Sequence, residues 1–374
     1  MTPAITVPQA NPGAGYRAQQ AEIDAAVARA LTSGWYILGA EGKAFEAEYA
    51  AWMGTARAVG CANGTDALAL ALRGLGIGPG SAVATVAHTA VATVAAVEMV
   101  GATPVLIDID PLLYTMDALE LAAVFARPPA GLPPIRAVIP VHLYGQAADL
   151  APIMATAARH GAAVIEDCSQ AHGATIGGQK VGSFTEISCF SLYPTKNLGA
   201  LGDGGVVATN DDALATKIAA LRQYGWHQHY ISDECGVNSR LDEIQAAILR
   251  VKLTRLDANN ARRQEIARAY DAALPAGLTA PARRAGASHV FHQYVLRSPD
   301  RAAIQAKLRA SGIATGIHYP MPVHTQPAYK GRIALGPAAC YASEQASAEV
   351  FSLPMFPELS DDQVAQVCAA VKSL

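Results

Sequence analysis

Charge is sparse in this chain, and aromatic residues are sparser. Of 374 residues, 16% are charged and 6% are Phe, Trp or Tyr. With 28 Lys and Arg against 31 Asp and Glu, the formal net charge of −3 provides no electrostatic footprint for a nucleic acid. The six cysteines, Cys61, Cys168, Cys189, Cys235, Cys340 and Cys368, include no CxxC pair. They read as buried thiols of a reducing compartment rather than disulfides or zinc ligands, and no metal site is expected. Residues 1–15 lack the basic start and apolar core of a signal peptide. The longer apolar runs, such as Ala90–Val97, are far too short to span a membrane. A cytoplasmic protein with no membrane or nucleic-acid partner is therefore expected. What the chain has in quantity is apolar side chains, 51% of its residues, enough for two lobes and a large core.

Chemistry concentrates in Phe190-Ser191-Leu192-Tyr193-Pro194-Thr195-Lys196-Asn197-Leu198-Gly199, which runs into Gly202-Asp203-Gly204-Gly205. One lysine stands between a short β-prone run and a glycine-rich loop. A lysine at a sheet end loses solvation, its pKa falls, and it can form a Schiff base with an aldehyde cofactor. That is the layout a pyridoxal-phosphate enzyme needs. Ser191, five residues earlier, is within reach of a phosphate, and the glycines let backbone approach closely. For the isolated motif, a surface lysine in a flexible loop is the competing reading.

Two more segments bear on that choice. Ala162-Ala163-Val164-Ile165-Glu166-Asp167-Cys168-Ser169-Gln170-Ala171-His172-Gly173 reads as a buried strand ending in a polar cluster. A carboxylate there, at Asp167, would keep a pyridine nitrogen protonated, and Gln170 would donate to the ring hydroxyl. The alternative is that Asp167 caps the following turn. Cys61-Ala62-Asn63-Gly64-Thr65-Asp66-Ala67-Leu68 reads as a turn feeding a helix, with Leu68, Leu72 and Leu75 on one face. Free N–H groups at a helix start attract anions, so Gly64 and Thr65 are phosphate-binding candidates. Here the competing reading is a simple cap by Asn63, Thr65 or Asp66.

Taken in order, these segments resemble the DegT/DnrJ/EryC1/StrS family of aminotransferases, the sugar-aminotransferase branch of fold-type I pyridoxal-phosphate enzymes. The resemblance begins at Ser33-Gly34-Trp35-Tyr36-Ile37-Leu38-Gly39 and includes Pro140-Val141-His142-Leu143-Tyr144-Gly145-Gln146. It closes with Gly236-Val237-Asn238-Ser239-Arg240-Leu241-Asp242-Glu243 and His318-Tyr319-Pro320. It implies pyridoxal 5'-phosphate on Lys196, which carries the catalysis, with pyridoxamine phosphate as the other cofactor form. It implies Asp167 on the pyridine nitrogen, Gln170 on the ring hydroxyl, and Gly64, Thr65 and Ser191 on the phosphate. Asn238 would reach the phosphate from the neighbouring subunit of a homodimer, with Arg240 close by. Many relatives carry an aromatic where Ala90 stands; alanine cannot stack, so His88 is a candidate to cover the ring, against a core histidine bonded to backbone. Retention of Lys196, where relatives that dehydrate carry histidine, favours ordinary transamination.

The same resemblance implies L-glutamate as donor and a nucleotide-linked keto-sugar as acceptor. Val141–Gln146 and His318-Tyr319-Pro320 look more like the branch acting at C3 of a 3-keto-6-deoxyhexose. C4 keto-sugars and inosose-type cyclitols remain alternatives, as does a cofactor-bound regulatory protein, which the set Asp167, Gln170, Ser191 and Lys196 disfavours. His318 and Tyr319 are candidates to hold the sugar or pyrophosphate, and Arg240 an anionic group.

Helix and strand signals alternate to about residue 250. Strands are expected at Ala82–Val86, Pro104–Asp108, Ala137–Val141, Ile187–Ser191 and Gly205–Thr209, the last two bracketing the lysine loop like a hairpin. Helices are expected at Ala90–Val100 and Ile153–His160, and a long one from Leu241 to about Leu274. The expectation is an α/β large domain (1–250) with a mostly parallel seven-stranded sheet flanked by helices, as in fold-type I. A smaller α+β domain (251–374) would carry strands at Val290–Leu296 and Ile313–His318. Gly74-Leu75-Gly76-Ile77-Gly78-Pro79-Gly80 follows a helix and reads as its terminating turn, not a dinucleotide fingerprint. Asp108-Ile109-Asp110 lacks the rest of a calcium loop. Trp226-His227-Gln228-His229 reads as a mobile loop near the substrate.

Overall fold

The computed structural model describes residues 4–374. Short apolar runs with turn residues between them produce the central sheet. Its strands are β1 (Arg57–Cys61), β2 (Ala82–Val86), β3 (Thr103–Ile107), β4 (Ile135–Val138), β5 (Ala163–Asp167), β6 (Ile187–Ser191), β7 (Gly205–Thr209) and β8 (Ala334–Leu335). They lie in the order β1-β7-β6-β5-β4-β2-β3-β8. All neighbours are parallel except β7, which runs antiparallel to both β1 and β6. The expected α/β sheet is thus present with eight strands rather than seven. The eighth is two residues from the carboxyl-terminal third, too short to give a sequence period.

Alternation along the strands explains why both faces are covered. Val207 packs with Leu68, Leu72 and Ile218 on one face, and its neighbours Val206 and Ala208 pack with Phe45, Tyr49 and Leu249 on the other. Every residue of β2 is buried, as a strand sandwiched between helices requires. Side chains such as Leu68, Leu72 and Phe190 are at most 1% exposed, and each such burial contributes about 1.5–3 kcal/mol. A separate core gathers Ile266, Tyr270, Tyr294, Leu308, Phe351 and Val367, with Val7 reaching in from the other end of the chain.

The β6–β7 pair matches the expected hairpin, in register from Ile187↔Thr209 to Ser191↔Gly205. The long helix expected from Leu241 is instead two, Glu243–Leu253 and Leu256–Asp271. Thr254 Oγ1 donates back to the Val251 carbonyl at 2.7 Å, a bond that competes with helix continuation. The division proposed at residue 250 falls within the first of these helices. Tyr294–Arg297 pairs with Val350–Leu353, but Ile313–His318 forms only isolated bridges, Val7↔Ile313 and Gly316↔Ser352. Leu75 N–H bonds to the Ala71 carbonyl and Gly76 has φ 72°, the helix-ending turn expected there. Trp226–Gln228 and Ile231–Ser232 pair as a small exposed hairpin. Among the described residues, no helix is long and apolar enough to cross a membrane.

Because β1 and β6 both run against β7, the carboxyl ends of β1, β2, β5 and β6 share one edge, where an open α/β sheet collects ligand groups. Glu166 fixes that edge. It is fully buried and accepts from Gly182 N at 2.7 Å, Phe184 N, Thr185 N and Thr185 Oγ1 each at 3.1 Å, and His142 Nε2 at 3.1 Å. Ala148 N–H donates to His142 Nδ1, so the Nε2 proton belongs to the bond with Glu166. Buried Cys168 stands beside this pair, but both His142 nitrogens and the carboxylate are already engaged by the protein. Glu166→Ala strands all these buried donors, and we expect a loss of about 3 kcal/mol or more in urea unfolding, with Glu166→Gln costing less. Equal stability of Glu166→Ala and the parent would contradict this role.

Candidate active site

The shared edge opens into a cavity of about 330 Å³ lined by Asn63, Gly64 and Thr65, by Asp167 and Gln170, and by Ser191 and Lys196, with other residues around them. Three segments far apart in sequence are thus brought to one place. The helix Gly64–Gly74 begins at its rim. Asn63 accepts from Asp66 N at 2.8 Å, so the capping reading holds for Asn63. Gly64 and Thr65 N–H lie ahead of the first turn and have no hydrogen-bond partner among the described residues, which makes this helix start a seat for an anion. A Cβ on Gly64 would stand 2.6 Å from Ser191 Cβ. Glycine is therefore required for the helix start and the end of β6 to approach each other.

Asp167 is 4% exposed and its carboxylate is held from two sides. Thr93 Oγ1 donates to Oδ2 at 2.9 Å, and Ser169 N–H donates to Oδ1 at 3.1 Å. The carboxylate has further acceptor positions for a ligand. Thr93 escaped the sequence reading, although a hydroxyl one turn beyond Thr89 on the helix that leaves β2 was a signal available. Gln170 Oε1 accepts from Tyr144 N at 2.8 Å, and its Nε2 donates to Tyr319 Oη at 3.0 Å. Burial pushes the Tyr319 phenol up to about 12, so the hydroxyl keeps its proton.

Lys196 is half-buried at the same cavity. Desolvation of its ammonium lowers the pKa to about 8, with Asp167 opposing the shift. Lys252 is lowered to about 8 as well, again by burial. Its Nζ donates to the Gly199 carbonyl, however, and it lies outside the cavity lining. His318 lines the cavity beside Tyr319; its Nδ1 is 2.9 Å from Ser352 Oγ, and burial followed by the Lys196 charge holds it near 4.

His88 is a correction. It is fully buried, outside the cavity lining, and both ring nitrogens are engaged, Nδ1 with Ser347 Oγ at 3.0 Å and Nε2 with Tyr144 Oη at 2.7 Å. Tyr144 Oη in turn donates to the His318 carbonyl. The imidazole therefore braces the Tyr144–His318 contact and has no face free for a ring; its partners are side chains, not the backbone expected of a core histidine. At Ala90 the cavity lining is left without an aromatic. Asn238 and Arg240 do not line the cavity of their own chain. They border a separate surface depression with Ala62, Gly202 and Asp203, and Asp203 belongs to both linings.

A buried carboxylate, a desolvated lysine and an open helix start fit pyridoxal phosphate: Asp167 for the pyridine nitrogen, Lys196 for the aldehyde, Gly64, Thr65 and Ser191 for the phosphate. Comparison with known proteins agrees. The chain is 44% identical over 373 residues to a UDP-N-acetyl-3-dehydro-alpha-D-glucosamine 3-aminotransferase of Acidithiobacillus ferrooxidans, covering 100% of this chain and 99% of that protein. It is 43% identical to a dTDP-3-amino-3,4,6-trideoxy-alpha-D-glucose transaminase of Streptomyces venezuelae, covering 96% of this chain and 93% of that protein. The crystal structure of S. venezuelae DesV in complex with ketimine intermediate superposes with a TM-score of 0.93 at 42% identity, covering 100% of this chain and 98% of that one.

Fold and cavity together define an aminotransferase that depends on pyridoxal phosphate. The DegT/DnrJ/EryC1/StrS aminotransferase pattern matches residues 17–372, and the chain belongs to that family. Gly64→Ala should weaken cofactor retention roughly tenfold or more, since a methyl group cannot fit against Ser191, while circular dichroism stays unchanged. Equal retention by variant and parent would contradict the close approach.

Proposed function

We propose that the protein moves the amino group of L-glutamate to the C3 ketone of a nucleotide-linked 3-keto-6-deoxyhexose. The observation that carries the reaction type is one cavity holding a desolvated Lys196, the buried Asp167 carboxylate and the unengaged N–H groups of Gly64 and Thr65. Support for C3 comes from the relatives named for 3-amino and 3-dehydro sugars and from the pairing of Val141–Gln146 with His318-Tyr319-Pro320.

Pyridoxal phosphate, when bound, supplies an aldehyde carbon and a protonated ring that withdraws electrons from the carbon losing its proton. Asp167, oriented by Thr93 and Ser169, would keep the ring nitrogen protonated, and Gln170 would hold the ring hydroxyl. Gly64, Thr65 and Ser191 would hold the phosphate, with Asn238 of a neighbouring subunit completing that grip in a homodimer. Lys196 would hold the aldehyde carbon through Nζ and yield that place to the donor amine. Its free Nζ then takes the proton from the donor α-carbon and later delivers one to C3 of the sugar, acting as base and then acid. His318 and Tyr319 would orient the sugar, with Arg240 available to an anionic substituent. Six free thiols suit a reducing, cytoplasmic setting.

On adding L-glutamate, the yellow cofactor-loaded protein should bleach with a new near-ultraviolet band, and keto-sugar should restore the colour; Lys196→Ala should do neither. Unimpaired turnover by Lys196→Ala would overturn the assignment, and nitrogen at C4 of the product, or preference for inosose, would overturn the substrate. Because the Lys196 pKa is lowered from its ordinary 10.5 to about 8, the free amine predominates only above that value. Uptake of pyridoxal phosphate by the apoprotein should therefore accelerate as pH rises through about 8 and then level off; a flat profile would contradict it. Dilution to monomer should abolish activity, and a fully active monomer would refute the shared site.

A further inference from the structure

The cavity poses a problem for an acidic amino donor. Among the described residues, its lining contains one lysine, Lys196, and no arginine. Lys196 is occupied by the chemistry, so within one chain a substrate carboxylate must be met by neutral N–H donors. Two adjacent residues of the lining, His292 and Gln293, are built for this.

His292 is 5% exposed; its Nδ1 is closed off and has no partner among the described residues. Everything around it is engaged. Asn197 Nδ2 donates to the Val290 carbonyl at 3.0 Å, Val290 N–H to the Gly145 carbonyl at 2.9 Å, Arg263 Nη1 to the Phe291 carbonyl at 3.0 Å, and Gln293 N–H to the Tyr144 carbonyl at 3.2 Å. Gly145 has no room for a side chain here, since a Cβ would stand 2.9 Å from His292 N. The backbone of the segment is thus pinned between the lysine loop and the turn that follows β4. Nε2, in contrast to Nδ1, is neither bonded nor closed off, so it is the ring nitrogen that a ligand in the cavity meets. Gln9 Nε2 donates to Gln293 Oε1 at 2.7 Å, which leaves the Gln293 NH₂ as a donor. His172 provides a contrast: its ring nitrogens are unpaired too, but it packs on Phe190 and does not line the cavity.

We propose that His292 and Gln293 form the seat for a carboxylate of the amino donor, and this rests on the aminotransferase reading above. His292 stays neutral before the donor arrives, because burial and the neighbouring Lys196 charge both hold its pKa well below the usual value. The neutral ring donates one N–H to the carboxylate, and the Gln293 amide donates another. These residues act on the donor half of the reaction and leave the sugar half alone.

Glutarate, a dicarboxylate with no amino group to transfer, reports on this seat without turnover. Titrated calorimetrically into the cofactor-loaded enzyme, it should bind His292→Leu roughly ten- to hundredfold more weakly than the parent, the usual loss for a hydrogen bond to a charged group. The KM for L-glutamate should rise in parallel while the KM for the keto-sugar changes less than about twofold, inside the range of a surface change. His292→Gln, whose amide reaches the place of Nε2, should recover most of the affinity. If His292→Leu does not fold or load cofactor, Gln293→Leu carries the same comparison. Unchanged glutarate affinity, equal rises in both KM values, or a loss produced only by Arg240→Ala would overturn the seat. A parent enzyme that binds cofactor yet bleaches with no amino acid would instead overturn the aminotransferase reading itself.

Discussion

The Asp167 carboxylate and the Lys196 amine share a desolvated cavity, and the fold is arranged around keeping them there. Asp167 favours the charged form of Lys196 while burial opposes it, and burial wins, leaving the amine near pH 8. The balance depends on where strand β5 ends. Its last two residues are consecutive carboxylates that face opposite ways, as strand geometry requires. Glu166 is saturated by Gly182, Phe184, Thr185 and His142. Asp167 is held by Thr93 and Ser169, with capacity to spare. The first is an anchor because it is satisfied, and the second is available because it is not.

The two depressed lysines show why position matters more than basicity. Lys196 and Lys252 are both lowered to about 8 by burial. Lys252 spends its ammonium on the Gly199 carbonyl and so braces the far end of the lysine loop. Lys196 borders the cavity with a carboxylate and a helix start. A similar division holds among the histidines. His88 and His142 have both ring nitrogens engaged and serve the scaffold, while His292 and His318 line the cavity.

Much of this was legible in the sequence because an α/β sheet collects its chemistry at strand ends. Asp167, Ser191 and the Gly64 turn each directly terminate or follow an apolar run, so their place in the pattern marked them, and the family resemblance implied their roles. A cap at this helix start was visible too, with Asn63, Thr65 and Asp66 as candidates, of which Asn63 caps. What escaped lies on residues that meet only through the fold. Thr93 reaches Asp167 across 74 positions, and its one local signal, a hydroxyl one turn beyond Thr89, does not name the partner. His88 sits in the right segment but faces Ser347 and Tyr144, contacts that no spacing rule reveals. His292 and Gln293 come from a segment that reads as a plain buried strand. The two-residue strand β8 is too brief for periodicity, and the break at Thr254 carries no Gly or Pro to mark it.

The most direct measurement is to load the protein with pyridoxal phosphate, reduce it with borohydride, and locate the fixed pyridoxyl group by peptide mass spectrometry. The expected result is a single modified site, on the peptide carrying Lys196, removed by prior exposure to the amino donor. Label on Lys252 or on another surface lysine, or no label on a protein that retains the cofactor, would contradict the assignment of the cavity.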